Sequence, residues 1–265
     1  RDILDYEGVE LFSSNYTLYG DMSHRVVETL RQFTPTVEVY SIDESFLELP
    51  VSGGDLTPLG HEIRRRVGQW TGIPVSIGIG STKSLAKLAN KVAKQRKLGV
   101  LDFTHLPGHD RILDTIPVND VWGIGKAYTA KLNGCGIETV AQLVRANDQW
   151  VQKQLTVVGL RIVWELRGIP CLPLERVPPP RKAICRSRSF GRPVHLLAHL
   201  KEAVASHVAS AARALRKQGS VASRLQVFME TNPFVEPYHG RSITARLETP
   251  TDSTPDLIRC AHEGV

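Results

Sequence analysis

Asp43 and Glu44 are adjacent carboxylates between two short apolar runs, Val37, Val39 and Tyr40 before them and Phe46, Leu47 and Leu49 after. β-Branched and aromatic residues favour extended backbone, so the sequence predicts two strands meeting at an acidic corner. Neighbours in a regular strand point to opposite faces, whereas at a strand end or turn they can converge. Two converging carboxylates offer hard oxygen ligands to Mg²⁺, and held against a phosphate they suit phosphoryl transfer with two metal ions. A solvated turn is the ordinary fate of paired acids, and the pair alone leaves both readings open.

The elements that follow must position this corner. After a Gly/Pro-rich break (Ser52 to Asp55, then Pro58) a helix is predicted from about Leu59 to Trp70, carrying the basic triplet Arg64, Arg65 and Arg66. Residues Pro74 to Gly80 alternate as a half-buried strand does. Ser81 or Thr82 then caps a helix running from Lys83 to Lys94. Leu85, Leu88, Ala89 and Val92 form its apolar stripe, and Lys83, Lys87, Lys91 and Lys94 line another face. No acid interrupts the run to Lys97. Such a stripe is either a solvated face or, because unpaired like charges repel along a helix, the seat of an anionic partner. A polyphosphate is the best candidate for that partner.

Pro117 to Leu132, followed by Gly134 to Ile137, reads as a helix-hairpin-helix. Gly123 and Gly125 flank one apolar residue and permit a tight turn that bares amide groups at the next helix start. Lys126 and Lys131 add charge there, and phosphate contacts of this kind hold a duplex without reading its sequence. Two glycines around one residue also serve ordinary helix turns. A further helix starts at Thr139, and helical patterns continue through Leu166, with Trp150 and Trp164 at core positions.

With 265 residues, two or three domains are expected. No run reaches the length of a membrane span, and the first residues show no secretory signal. Cys135, Cys171, Cys185 and Cys260 are scattered, which suits small core residues in a reducing cytoplasm rather than a zinc site or disulfide framework. Residues 1–180 hold 20 Lys/Arg against 20 Asp/Glu, and residues 181–265 hold 13 against 7, so the net charge of +6 lies wholly at the C-terminal end. That is the footprint of a basic nucleic-acid-binding module, or of a solubility device. Val177 to Lys182 contains three consecutive prolines, an extended spacer. Beyond it the reading is a strand from Ala183 to Phe190, a helix from Ala198 to Lys217, strands Ser223–Glu230 and Ser242–Leu247, and a helix opening near Pro255. On the first strand Arg186 and Arg188 would share a face.

The segments YSIDES (Tyr40 to Ser45) and VSIGIGSTKSLAKLANKVAK (Val75 to Lys94) resemble the palm of the Y-family, or translesion, DNA polymerases. Phe12 to Ser23, Val121 to Gly125 and Ser187 to Gly191 are similar to the same family, in wording nearest its UmuC-type bacterial and plasmid-borne branch. The resemblance implies an α+β multidomain fold. Residues 1–10 would be a remnant of the fingers, 11–101 a palm with an antiparallel sheet and helices, and 102–172 a helical thumb with the helix-hairpin-helix. Residues 173–183 would be the linker and 184–265 a truncated little-finger domain. Asp43 and Glu44 would then be two of three metal-binding catalytic carboxylates, Glu44 on the ion nearest the primer hydroxyl. Lys94 would contact the incoming triphosphate, and Arg186, Arg188 and Arg192 would join Gly123, Gly125, Lys126 and Lys131 on DNA. The implied reaction is error-prone, lesion-tolerant DNA synthesis in SOS-type damage tolerance, with two Mg²⁺, primer–template DNA and deoxynucleoside triphosphates. A UmuD′-like subunit, RecA and a sliding clamp are implied as partners.

The family's palm opens with a strand bearing the first catalytic aspartate, and the sequence from Arg1 has none; Asp2 and Asp5 stand in the wrong context. The end at His262 to Val265 falls inside the little finger. An internal fragment of feeble or no activity is therefore expected. A non-catalytic DNA-binding protein retaining the scaffold is the alternative, and it would bind DNA in a salt-dependent way that tolerates loss of Asp43. A metal-dependent nuclease would leave the triphosphate-type lysine unexplained.

Overall fold

The computed structural model describes residues 6–10, 12–49, 54–104, 109–177 and 179–264. Asp2, Asp5, the break at Ser52 and Gly53, and Pro178 of the proline spacer lie outside them. The chain divides into two compact units, Arg1–Val177 and Pro178–Val265.

In the first unit, Asn15 caps helix α1 (Tyr16–Leu30), its side-chain oxygen accepting from the Leu18 amide at 3.1 Å. Strands β1 (Val37–Val39) and β2 (Ser45–Leu47) pair antiparallel with Glu38 opposite Phe46, so the expected hairpin encloses the acidic corner. Helix α2 (Thr57–Thr71) has a proline in its first turn and stops at Gly72, whose φ of 73° suits a residue without a Cβ. Strand β3 (Ile77–Ile79), helix α3 (Lys83–Gln95) and strand β4 (Val100–Asp102) follow, and β3 pairs with β4 in parallel. This corrects the expectation of a wholly antiparallel palm sheet. A crossover helix between two paired strands returns the chain in the same direction.

Gly78 and Gly80 let α3 lie directly on β3. A Cβ at Gly78 would stand 2.0 Å from the Asn90 amide nitrogen and 2.2 Å from the Ala86 carbonyl oxygen. One at Gly80 would stand 2.7 Å from the Ala86 nitrogen. The stripe Leu85, Leu88, Ala89 and Val92 is buried as predicted. It packs with Leu132, Val140, Leu143, Val151, Leu155 and Val163 in one core that runs without a break past residue 102. Those partners come from helices α5 (Lys126–Asn133), α6 (Val140–Arg145) and α7 (Asp148–Leu166), and Leu113 of helix α4 (His109–Leu113) joins the same core. Trp150 and Trp164 pack half-buried against this core.

Glu165, fully buried on α7, fastens the start of α3. One carboxylate oxygen accepts from the Ser84 amide at 3.0 Å, and the other accepts from the Cys171 and Leu172 amides at 2.6 and 3.0 Å. Thr82 caps α3 by accepting from Leu85 and donates its own hydroxyl to the Glu165 carbonyl at 2.7 Å. These bonds satisfy amides that a helix N-terminus otherwise leaves open.

The second unit contains helix α8 (Leu197–Gln218), the antiparallel pair β5 (Ala222–Glu230) and β6 (Gly240–Thr251), and helix α9 (Thr254–Glu263). Val208, Ala212, Leu257 and Ala261 pack with Leu225, Val227 and Leu247, which gives the expected helix-on-sheet core. The strand expected at Ala183 to Phe190 is not formed. Only Ile184 in that stretch is even partly buried, so no apolar face docks it onto the β5–β6 pair. The cysteines are also not core residues. Cys135 and Cys185 are exposed, Cys171 and Cys260 partly buried, and all four are free thiols. Among the described residues no helix is long and apolar enough to cross a membrane.

Gly78→Ala should lower the stability of the first unit by about 3 kcal/mol, since backbone rather than a flexible side chain blocks the methyl group. Gly68→Ala, in an open part of α2, should raise it by roughly 0.5–1 kcal/mol. All four tryptophans (Trp70, Trp122, Trp150, Trp164) lie in this unit, so urea unfolding followed by tryptophan fluorescence reads both changes.

Candidate active site

The corner between β1 and β2 closes through backbone bonds, the Tyr40 and Ser41 amides both donating to the Glu44 carbonyl at 3.1 and 3.0 Å. The Ser41 hydroxyl donates to Asp43 Oδ1 at 2.6 Å. That bond, more than anything else, holds the exposed Asp43 carboxyl below the usual carboxylate range. Slight burial works against it, and the positive charges of Lys87 and Lys94 reinforce it. Asp43 is thus an open anion with Lys94, the lysine expected on the triphosphate, within electrostatic reach.

Glu44 is engaged differently. Its Oε1 takes the Lys87 ammonium at 2.5 Å. Three of the four lysines on α3 have carboxylate partners inside the fold. Lys83 pairs with Glu38 at 2.5 Å, Lys87 with Glu44, and Lys91 with Asp120 at 2.7 Å. The stripe that sequence left open between a solvated face and the seat of an anionic partner is therefore mostly neutralised from within. Glu38, Asp120 and Glu44 are far from it in the chain, which hid the pairing. Among the described residues Lys94 alone of the four makes no ion pair. The Arg64–Arg66 triplet is likewise occupied, Arg64 by the Val75 carbonyl and Arg65 and Arg66 by Glu62.

Three rings line the same place. Tyr40 and Trp122 meet edge to face at 5.4 Å between centroids, the Trp122 indole N–H donates to the Tyr40 hydroxyl at 3.2 Å, and Phe46 lies 5.8 Å from Tyr40. The Lys87 ammonium sits over the Tyr40 and Trp122 rings at 5.5 and 5.9 Å. Sequence reading missed this cluster because Tyr40 and Trp122 are 82 residues apart.

Trp122 leads into the glycine turn. Gly123 has a φ of 88° and lies against Ile162, whose Cδ1 would be 2.6 Å from a Cβ. Gly125 begins α5 without any side-chain cap, so the first amides of α5 are open at an exposed hollow lined by Asn119, Ile124, Gly125, Lys126 and Thr129. The element before the turn is a single 3₁₀ turn (Val118–Asp120) rather than a full first helix. Lys126 is exposed at the turn. Lys131 instead donates to the Gln154 carbonyl at 2.8 Å, just before Thr156 (φ 65°) breaks α7.

The donors at the corner suit a hard divalent cation, since Asp43 is ionised and both side chains offer oxygen. Among the described residues no third His, Cys, Asp or Glu joins them. A cation there would complete its shell from water and substrate oxygens.

Residues 3–91 match the impB/mucB/samB family, and residues 181–265 match the C-terminal domain of the same family. The chain is 44% identical over 261 residues to Protein UmuC of Salmonella typhimurium, covering 96% of this chain and 62% of that protein. It is 34% identical over 164 residues to DNA polymerase IV of Moorella thermoacetica, covering 60% of this chain and 40% of that one. The chain belongs to the impB/mucB/samB family. Its fold is that of the Y-family DNA polymerases, shown by a Y-family DNA polymerase chimera (Dbh-Dpo4-Dbh) that matches with a TM-score of 0.63 at 18% identity, over 94% of this chain and 70% of that one. The chain thus spans less than two thirds of the UmuC relative's length.

The family's C-terminal domain coincides with the second unit. Arg188 and Arg192 are exposed there. Arg186 is exposed but engaged within its own unit, donating to the Ser210 hydroxyl at 3.2 Å and the Cys185 carbonyl at 3.0 Å. The strand on which Arg186 and Arg188 were expected to share a face is not formed. The sheet supplies basic residues that sequence reading missed, Arg224 directly opposite Arg246 on its exposed face. Like charges so placed repel, and an anionic ligand would relieve them. Alternation within each strand was visible, but the register that opposes them was not.

Ser41→Ala should move the Asp43 titration upward, toward the ordinary carboxylate range, because the largest cause of its depression is removed. The stability linked to that depression is present above the unfolded-state value of 3.8 and is lost as pH falls through the lower folded value. Carboxyl ¹³C titration by NMR reads the midpoint, which should rise in the variant.

Proposed function

We propose that this protein performs template-directed, lesion-tolerant DNA synthesis, joining deoxynucleoside triphosphates to a primer by nucleotidyl transfer. The observation that carries the reading is the acidic corner itself. Asp43 lies open and ionised on a hairpin turn, next to Glu44 and within the field of Lys94.

In this reading Asp43 and Glu44 hold divalent cations, Mg²⁺ by the chemistry of the donors, which supply charge neutralisation and a lowered hydroxyl pKa. Lys94 balances negative charge on the triphosphate. The Gly123–Gly125 turn and Lys126 hold duplex phosphate through open amides and one ammonium, contacts without sequence information. Arg188, Arg192 and the Arg224–Arg246 pair extend the backbone contacts in the C-terminal domain. Lys131 and Arg186 contribute with whatever donors their internal bonds leave. A UmuD′-like subunit, RecA, a sliding clamp and a cytoplasmic setting belong to the same proposal through the family.

Two experiments test it on the protein at its full natural length. Mg²⁺-dependent primer extension should fall by 10²-fold or more in Asp43→Ala while primer–template binding stays within about two-fold; extension that survives the substitution would remove the corner from the chemistry. Lys126→Ala should weaken binding to all sequences alike and reduce the slope of log affinity against log salt by about 1. An unchanged slope would take Lys126 off the phosphate backbone.

A further inference from the structure

Glu44, in the reading above, is a metal ligand, yet its Oε1 already holds the Lys87 ammonium at 2.5 Å. A carboxylate oxygen in a close ion pair with an ammonium is not equally available to a divalent cation, because the two positive charges repel at such distances. Lys87 is also better placed to release it than an ordinary surface lysine. Its ammonium lies over the faces of Tyr40 and Trp122, at 5.5 and 5.9 Å, and ring faces attract cations. The two rings are braced against each other by the Trp122 to Tyr40 hydrogen bond. The Tyr40 amide in turn is bonded to the Glu44 carbonyl, so the carboxylate, the ammonium and its aromatic seat form one unit.

We propose that Lys87 is an internal counter-cation for Glu44, which occupies the carboxylate in the metal-free protein and gives it up, onto the Tyr40 and Trp122 faces, when a divalent cation arrives. The inference rests on the assignment of Glu44 as a metal ligand. Lys87 is then a positioning residue whose charge sets how readily the corner loads. Asp43, bonded to Ser41 rather than to a lysine, carries no such competitor. The two adjacent carboxylates therefore differ. Asp43 is open to a cation in the free protein, and Glu44 becomes available only in exchange for Lys87.

Direct cation binding tests this without recourse to activity. The full chain is titrated with Mn²⁺, and the free ion is followed by its electron paramagnetic resonance signal. Lys87→Met should bind Mn²⁺ roughly five- to ten-fold more tightly than wild type, the scale of one like charge removed at close range near a protein surface. Lys87→Arg should stay near wild type. Lys91→Met, one turn along the same helix but paired with Asp120, should also leave the affinity unchanged. Lys87→Gln gives a second neutral variant if the Met protein does not fold. Equal or weaker Mn²⁺ binding by the neutral variants overturns the proposal, weaker binding meaning that Lys87 aligns Glu44 rather than competing for it. Glu44→Gln separates the two readings. Wild-type binding that ignores this change sinks the metal assignment itself, whereas binding that depends on Glu44 and not on Lys87 sinks the counter-cation alone.

Discussion

Helix α3 rests on strand β3 at backbone contact distance, and the first unit is organised by that approach. Gly78 and Gly80 make it possible, since neither position has room for a Cβ. The apolar stripe of α3 is thereby pressed into the core with α5, α6 and α7. The lysine face is left along the β1–β2 hairpin, where Glu38 and Glu44 wait for it. A helix lifted by the width of one methyl group would separate Lys87 from Glu44 and weaken the field of Lys94 at Asp43.

Charge on this helix has two uses that look alike in sequence. Lys83 is nearly buried and works as a structural tie: it pairs with Glu38, donates to the Pro173 carbonyl at 3.0 Å and lies over the Phe46 ring. Glu38 also accepts from the Glu175 amide at 2.7 Å, so the same pair holds the end of the first unit. Breaking one partner of such a pair strands the other charge, which costs far more than an exposed bridge contributes. Lys91 with Asp120 ties the helix to the approach of the glycine turn. Lys87 and Lys94 instead act on the two acids of the corner. One helical stripe of four lysines thus conceals two ties and two charges set at the acidic corner.

Much of this was legible from the residues. The hairpin around Asp43 and Glu44, the Thr82 cap, the buried face of α3, the glycine turn before Lys126 and the helices and paired strands of the C-terminal domain all follow from local pattern. What stayed hidden depends on long-range partners. The carboxylates that take Lys83, Lys87 and Lys91, the Tyr40–Trp122 seat and the Arg224–Arg246 opposition come from chain segments whose meeting no local pattern announces. The failed strand at Ala183 to Phe190 shows the converse. A strand was expected there, but with only Ile184 even partly buried nothing in that stretch could dock. Strand β4 was not among the strands read from the sequence.

The central claim is that Asp43, Glu44 and Lys94 form one site for a metal-bound triphosphate. Paramagnetic broadening of the amide NMR spectrum by Mn²⁺ with a deoxynucleoside triphosphate tests it most directly. Broadening centred on Tyr40 to Phe46 and on the Lys87 to Lys94 stretch of α3, and absent in Asp43→Ala, is the predicted result. Broadening centred elsewhere, or unchanged by that substitution, would contradict it.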